Sequence, residues 1–514
     1  MSKKYLYGAS IQGIQSFIFK TNKLAEIVGA SEIVEHICTK LFYETAAIDN
    51  NDEQNIILSA AGNIKYIFED EKKCQDFFRV FPKVVMDFAP GITISQAVVA
   101  YENENFSNLI DSLESKLKAQ RNKVVAPTEI GFMGLERDRR SGEVGFNKRK
   151  TRTGKEEVIC EATAKKRKIV HSKKEDKDKE TQESLIKKIS GLDLKNREIC
   201  FDIEDMTKGN ANSWIAVIHA DGNGIGNILQ NMGAKLSESK KAENKNAFRS
   251  FSKALDNATK NAAQKAFESV VKENLTDGNC FPIRPVLCGG DDLTVIIRAD
   301  LAMAYTENFL REFENETKKE FKILEEYGIM DFKEGITASA GISYVKESYP
   351  LHYALHLAES LCADAKKKVK NATLRENGIP ESSVAFYKVQ ESFVENLDVL
   401  KKRTLQTDSG LDFYNGPYTL NELDALNKDL KIILDEANKN EKTKAVGKLR
   451  QIVSESYTDK STTAFMLNRM KEINSDFFTK LNLDTELTVI QENGKSKLLD
   501  LITLHSFYYG NRDN

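Results

Sequence analysis

Two segments of this chain spell out the same order of secondary-structure elements, and that repetition limits the possible folds more than any other feature. In the first segment the apolar run Tyr5–Ile11 stops at Gln12-Gly13-Ile14, and a helical stretch follows over Leu24–Tyr43. Two short strand patterns, Ile56–Ser59 and Ile64–Phe68, flank Ala60-Ala61-Gly62-Asn63. A helix over Lys72–Phe88, a strand over Gly91–Tyr101 and a helix over Phe106–Arg121 complete the unit. The second segment opens with Trp214-Ile215-Ala216-Val217-Ile218, an apolar run without polar alternation, as expected of a strand buried on both faces. The run ends at Asp221-Gly222-Asn223-Gly224-Ile225-Gly226. A long helix follows, in which Phe248, Phe251, Leu255, Ala258 and Ala262 recur at spacings of three and four. Pro285–Leu287 and Leu293–Ile297 flank Gly289-Gly290-Asp291-Asp292 as a hairpin. A helix over Leu301–Leu324, a strand over Ile336–Tyr344, a helix opened by Pro350 and a strand over Ser383–Val389 repeat the first order.

Local matches support a duplication. Ala9-Ser10-Ile11-Gln12-Gly13-Ile14 aligns with Ala220-Asp221-Gly222-Asn223-Gly224-Ile225, and Leu58 through Asn63 aligns with Leu287 through Asp292. Gly91-Ile92-Thr93-Ile94-Ser95 aligns with Gly335-Ile336-Thr337-Ala338-Ser339. The expected fold class is a duplicated α/β (α+β) domain. It is followed over Tyr418–Tyr509 by a small helical bundle, with Leu420, Leu423, Leu426, Leu430 and Ile433 on one apolar face.

Composition narrows the class. A chain of 514 residues with 40% hydrophobic and 30% charged residues has room for about three domains and the balance of a globular protein. The net charge of −2 does not mark a nucleic-acid or membrane binder as a whole. Charge is uneven, however: Lys148–Lys179 carries a net +7, leaving −9 on the remainder. That basic stretch reads as a solvated, mobile linker or, alternatively, as an RNA-binding arm. Seven scattered cysteines without a C-x-x-C pair point to reduced thiols and a cytoplasmic location. No run approaches the roughly 18 apolar residues of a membrane span.

The chemistry gathers in the second unit. Asp221 follows a buried strand and Asp291-Asp292 sit on a hairpin tip, so the three carboxylates are expected to converge and hold Mg²⁺, or Mn²⁺ in its place. Paired ions of that kind activate a hydroxyl and stabilise a leaving pyrophosphate. Gly289 and Gly290 supply the backbone freedom of a tight hairpin. Gly222, Asn223, Gly224 and Ile225 lead into a helix N-terminus that a triphosphate can approach. Lys366, on the helix with Leu355, Ala358, Leu361 and Ala365, offers a point charge to the same phosphates, although Lys366-Lys367-Lys368 also suits a helix C-terminus. His352 and His356 lack a third ligand and read as a core or surface pair. The first unit carries Ser10 in place of Asp221 and Gly62-Asn63 in place of Asp291-Asp292. It should not catalyse by itself, but Ser10, Gln12 and Asn63 remain to bind a second nucleotide.

These motifs resemble the second palm of the large subunit of type III CRISPR effector complexes, itself similar to the GGDEF nucleotide cyclases. Ile11-Gln12-Gly13-Ile14-Gln15-Ser16-Phe17-Ile18-Phe19 and Gly29-Ala30-Ser31 resemble the opening of that family's first palm. The resemblance implies ferredoxin-like polymerase/cyclase palms: a degenerate first palm over 1–125, a basic insertion over 126–195, a catalytic palm over 196–395 and a helical domain over 396–514. It implies synthesis of cyclic oligoadenylates from ATP at paired Mg²⁺ ions, in antiviral defence. Asp221, Asp291 and Asp292 would then be metal ligands and Lys366 a phosphate contact. Implied partners are ATP or another nucleoside triphosphate, guide or target RNA and other effector subunits. None of the six histidines precedes an aspartate, so the HD nuclease common in that family is expected to be missing, as is its inter-palm zinc cluster. A silent scaffold subunit and a diguanylate-cyclase-like enzyme are the alternative readings.

Overall fold

The computed structural model describes residues 3–49, 52–102, 104–123, 134–150, 154–171, 180–181, 183–208, 213–237, 241–272, 280–330, 332–371, 379–391, 396–439 and 445–508. The first unit runs β1 (Lys4–Gln12), α1 (Ile14–Ile18), α2 (Leu24–His36), α3 (Phe42–Ala46), β2 (Ile56–Ala60), β3 (Asn63–Phe68), α4 (Glu71–Phe88), β4 (Thr93–Tyr101) and α5 (Phe106–Arg121). A connecting region holds the β5 (Asn147–Lys150) and β6 (Glu156–Ile159) hairpin, then α6 (Glu161–His171), α7 (Ser184–Ser190) and α8 (Ile203–Thr207). The second unit runs β7 (Trp214–Gly222), α9 (Ile225–Ser237), α10 (Lys241–Ala266), β8 (Ile283–Gly289), β9 (Asp292–Arg298), α11 (Ala299–Glu320), β10 (Ala338–Lys346), α12 (Leu351–Asn371) and β11 (Ser383–Lys388). The expected single helix after Gly226 is therefore two.

The duplication holds at the level of hydrogen bonding. The first sheet has the order β2-β3-β1-β4, and the second repeats it as β8-β9-β7-β10 before adding β11 and β12 (Tyr418–Thr419). Ser10 lies opposite Ser95 just as Asp221 lies opposite Ser339, and Ala9 opposite Ile64 just as Ala220 opposite Leu293. Both hairpins carry a register shift at the same place, between Ile56 and Leu58 and between Pro285 and Leu287. A bulge bends its strand, and this one bends both hairpins alike.

Strand β7 is buried on both faces. Ala216, Ile218 and Ala220 join the core that contains Phe248, Phe251 and Phe309 of α10 and α11, while Ile215 and Val217 join the one that contains Leu355, Ala358 and Leu361 of α12. The chain closes with α13 (Leu397–Leu400), α14 (Leu420–Lys439), α15 (Ala445–Glu455), α16 (Lys460–Ile473), α17 (Ser475–Lys480), α18 (Leu483–Glu492) and α19 (Leu498–Tyr508). Leu423, Leu426, Leu430 and Ile433 of α14 are buried in this bundle, and Leu420 packs at its margin. The fold is thus two tandem palms and a C-terminal helical bundle.

Two expectations are corrected. The basic stretch is not simply a solvated linker: β5 pairs with β6, and α6 packs on α2, where buried Glu26 accepts from Arg167 Nε at 2.6 Å and, from just before the stretch, Arg140 Nη1 at 2.8 Å. Its 172–179 part lies outside the described residues. Nor are all the cysteines free thiols. Ile199 and Phe281 form a parallel β-bridge, which sets their neighbours side by side, and Cys200 and Cys280 are joined as a disulfide with Cα atoms 5.2 Å apart. Among the described residues no helix is long and apolar enough to cross a membrane.

Candidate active site

The site is built where β7 and β9 end side by side. Asp221 is the penultimate residue of β7 and Asp292 the first of β9, while Asp291 stands on the turn between β8 and β9. Gly290 takes φ +60°, the left-handed conformation that a two-residue hairpin turn demands. The turn is tied to α10: Gly290 N–H donates to Asp256 at 3.2 Å, and Thr259 donates to the Gly290 carbonyl. Asp256 in turn meets Lys188 of α7 at 3.1 Å, and Lys188 reaches Glu35 of α2 at 3.8 Å. A side chain at Gly222 would come within 2.9 Å of Asp291 Cβ, so the close approach of strand and turn requires glycine there.

The acids are crowded and short of positive charge. Burial and the repulsion of Asp221 push the Asp291 carboxyl up, and burial with the repulsion of Asp291 and then Asp221 pushes Asp292 up as well. Lys366 of α12 partly offsets this; it forms an ion pair with Asp221 and donates to the Gly222 carbonyl at 2.8 Å. A ring nitrogen of His219 joins Asp221 and Asp292 in a group whose ligand atoms all lie within 4.8 Å of one another. Burial pushes the His219 imidazole down, against the opposing pull of Asp221. Carboxylate oxygens with one imidazole and an excess of negative charge are a donor set that fits a divalent cation.

Beside the acids lies a cavity of about 740 Å³ between the two units. Asp291, Asp292, Gly289, Gly290 and the start of α9 at Ile225 line it from the second unit, with Asn63, Ser107 and Asp111 facing them from the first. The two hairpins touch at its edge, since a Cβ on Gly289 would lie 3.3 Å from Ala61 N. Ile225 and Gly226, which open the next helix, line this side, and Ile228 N–H is bonded to the Gly224 carbonyl at 3.0 Å. Asn223 is used differently: its Nδ2 donates to Thr337 Oγ1 at 2.9 Å and its Oδ1 accepts from Ser339 at 2.9 Å, which locks the end of β7 to β10. In the first unit Asn63 faces the cavity, Ser10 is buried in the sheet, and Gln12 bonds back to the Ser10 carbonyl at 3.1 Å. Sequence reasoning missed His219. The signal was its position two residues before Asp221, on the same face of one strand.

The family model of the Cas10/Cmr2 second palm domain matches residues 214–374. Comparison with curated proteins finds no match. Among solved structures, the Csm1–Csm4 cassette in complex with cA4 is similar at a TM-score of 0.55 and 12% identity, over 99% of this chain and 70% of that one. The cassette with pppApApA gives a TM-score of 0.55 at 14% identity over 98% and 69%. The Csm1–Csm4 subcomplex of the type III-A CRISPR-Csm interference complex gives 0.55 at 13% over 99% and 70%. Residues 214–374 thus match the second palm domain of the Cas10/Cmr2 type, in a chain whose fold is similar to that in the Csm1–Csm4 structures.

Proposed function

We propose that this chain is a divalent-metal-dependent nucleotidyltransferase that joins ATP into cyclic oligoadenylate-type messengers in cytoplasmic antiviral defence. One observation carries the reading: Asp291 and Asp292 line an inter-palm cavity large enough for a nucleotide, and Asp221 stands against both of them. The similar Csm1–Csm4 structures were solved with cA4, with pppApApA and with one ATP, which supports the choice of nucleotide.

The roles follow from position. Asp221 and Asp292 would hold Mg²⁺ or Mn²⁺, with Asp291 beside them to take part once the cation relieves the crowding of charge. The bound cation supplies charge neutralisation for the leaving pyrophosphate and acidity for the attacking hydroxyl. Lys366 places a positive charge on the Asp221 side, and the start of α9, with the Gly289-Gly290 turn, would receive a triphosphate in the cavity they line. Asn63, on the acid-free hairpin, would contact the second nucleotide. Asn223 would act by fixing the β7 exit rather than through a free amide. A Csm4-like subunit and guide or target RNA are the partners this reading implies.

The test is incubation of the purified chain with each labelled nucleoside triphosphate and Mg²⁺ or Mn²⁺, with products read by mass spectrometry beside Asp291→Ala/Asp292→Ala. Oligoadenylates made by the parent and absent from the variant are expected. Product of equal yield from the variant would overturn the assignment.

A further inference from the structure

We infer that His219 is a nitrogen ligand of the divalent-cation site, which makes the centre a mixed nitrogen–oxygen one that prefers Mn²⁺ to Mg²⁺. This rests on the reading of Asp221 and Asp292 as metal ligands and adds to it a donor of different chemistry.

Three observations converge. A ring nitrogen of His219 lies with the Asp221 and Asp292 oxygens inside one 4.8 Å group, as a shared ion requires. The ring is also anchored: Nδ1 and Thr294 Oγ1 share a hydrogen bond at 2.9 Å, and Thr294 stands directly opposite His219 across β7 and β9. A ligating histidine needs a neighbour that fixes its ring in this way. The first unit provides the third observation. Its residue equivalent to His219 is Gly8, and the room above Gly8 is filled by Leu113, whose Cδ2 lies 2.7 Å from where a Cβ would sit. The palm that has Ser10 and Asn63 in place of two acids thus also lacks the imidazole, so all three donors are present in one palm and missing from the other.

The chemistry fixes the metal preference. Mg²⁺ favours an all-oxygen shell and keeps its waters, whereas imidazole binds first-row transition ions better. Mn²⁺ is the weakest binder of that series, so a preference for it over Mg²⁺ is a demanding test.

The experiment uses the full chain with MnCl₂ and no nucleotide. Pulsed electron paramagnetic resonance should show modulation from one directly bound ¹⁴N, and this should vanish in His219→Gln. Mn²⁺ affinity should fall about tenfold in His219→Gln and also in Thr294→Val, while Mg²⁺ affinity, measured by competition, changes little. Bound Mn²⁺ without nitrogen modulation, unchanged affinity in His219→Gln, or no Mn²⁺ binding at all would each overturn the inference. The two readings fail separately. Nitrogen-coupled Mn²⁺ in a chain that makes no oligonucleotide sinks the cyclase, whereas oligonucleotide synthesis without nitrogen coupling sinks only the histidine.

Discussion

Lys366 forms an ion pair with Asp221 and at the same time donates to the carbonyl of Gly222 at 2.8 Å, so one ammonium group fixes both the charge and the backbone at the end of β7. Lys366→Met removes the positive charge nearest the three acids. Product formation should drop about tenfold or more, with the melting temperature little changed, because the side chain is partly exposed. Parallel rate and thermal-shift measurements check this.

Removal of a metal-facing carboxylate should act on the chemical step. Asp292→Asn and Asp221→Asn are each expected to lower turnover about 100-fold or more, since several kcal/mol of transition-state stabilisation pass through the cation they hold. Single-turnover rates at saturating nucleotide distinguish this from a loss of binding.

Asp256 is not one of the metal-facing residues, yet it accepts from Gly290 N–H at 3.2 Å and from Lys188 at 3.1 Å. Asp256→Ala leaves that N–H unpartnered and the Lys188 ammonium with only the longer Glu35 contact, which should cost about 1–3 kcal/mol and slow the enzyme together. Asp256→Asn keeps an acceptor for Gly290 and should recover most of the turnover. A urea titration and a rate measurement on both variants provide the comparison.

Asp500 offers a pH dependence with a definite sign. Burial pushes its carboxyl up to about 7 even though it accepts from Tyr418 Oη at 2.5 Å. The folded chain therefore holds a proton that the unfolded chain has already released. The stability from this group is fully present below about pH 4 and is lost as pH rises through about 7. Asp500→Asn removes that slope. The difference in unfolding free energy between parent and variant should grow across this window by about 1–4 kcal/mol in the variant's favour, as followed by chemical denaturation at several pH values.

Much of this was legible in the residues. The apolar run Trp214–Ile218 announced a doubly buried strand, and the three aligned motifs announced a second palm; the pairings Ser10–Ser95 and Asp221–Ser339 bear out that alignment. Legibility ended where function depends on contacts distant in sequence. Asn223 looked like a phosphate loop residue, but Thr337 and Ser339, far along the chain, claim its amide. Cys200 and Cys280 looked unrelated because they lie 80 residues apart in the chain and meet beside the Ile199–Phe281 bridge. The charge run beyond Lys148 looked solvated because charge counting does not reveal a buried acceptor such as Glu26. His219 was hidden for another reason, since a lone histidine in an apolar strand usually fills space.

The side chain of Arg284, the second residue of β8, is fully buried and meets Glu183 Oε2 at 2.6 Å and the Cys200 carbonyl at 2.9 Å. Both partners lie upstream of residue 214, where the family match begins. Glu32 of the first palm caps the helix that follows Glu183, accepting from Ser184 N at 2.8 Å and Leu185 N at 2.9 Å. A fragment cut to 214–374 would carry an orphaned guanidinium in its core, at a cost of about 3–5 kcal/mol, and Asp256, which holds the acid-bearing hairpin, would lose Lys188 as well. The span that matches the family and the span whose contacts close this core are therefore different lengths of the chain, and the shorter leaves a buried charge without its partner.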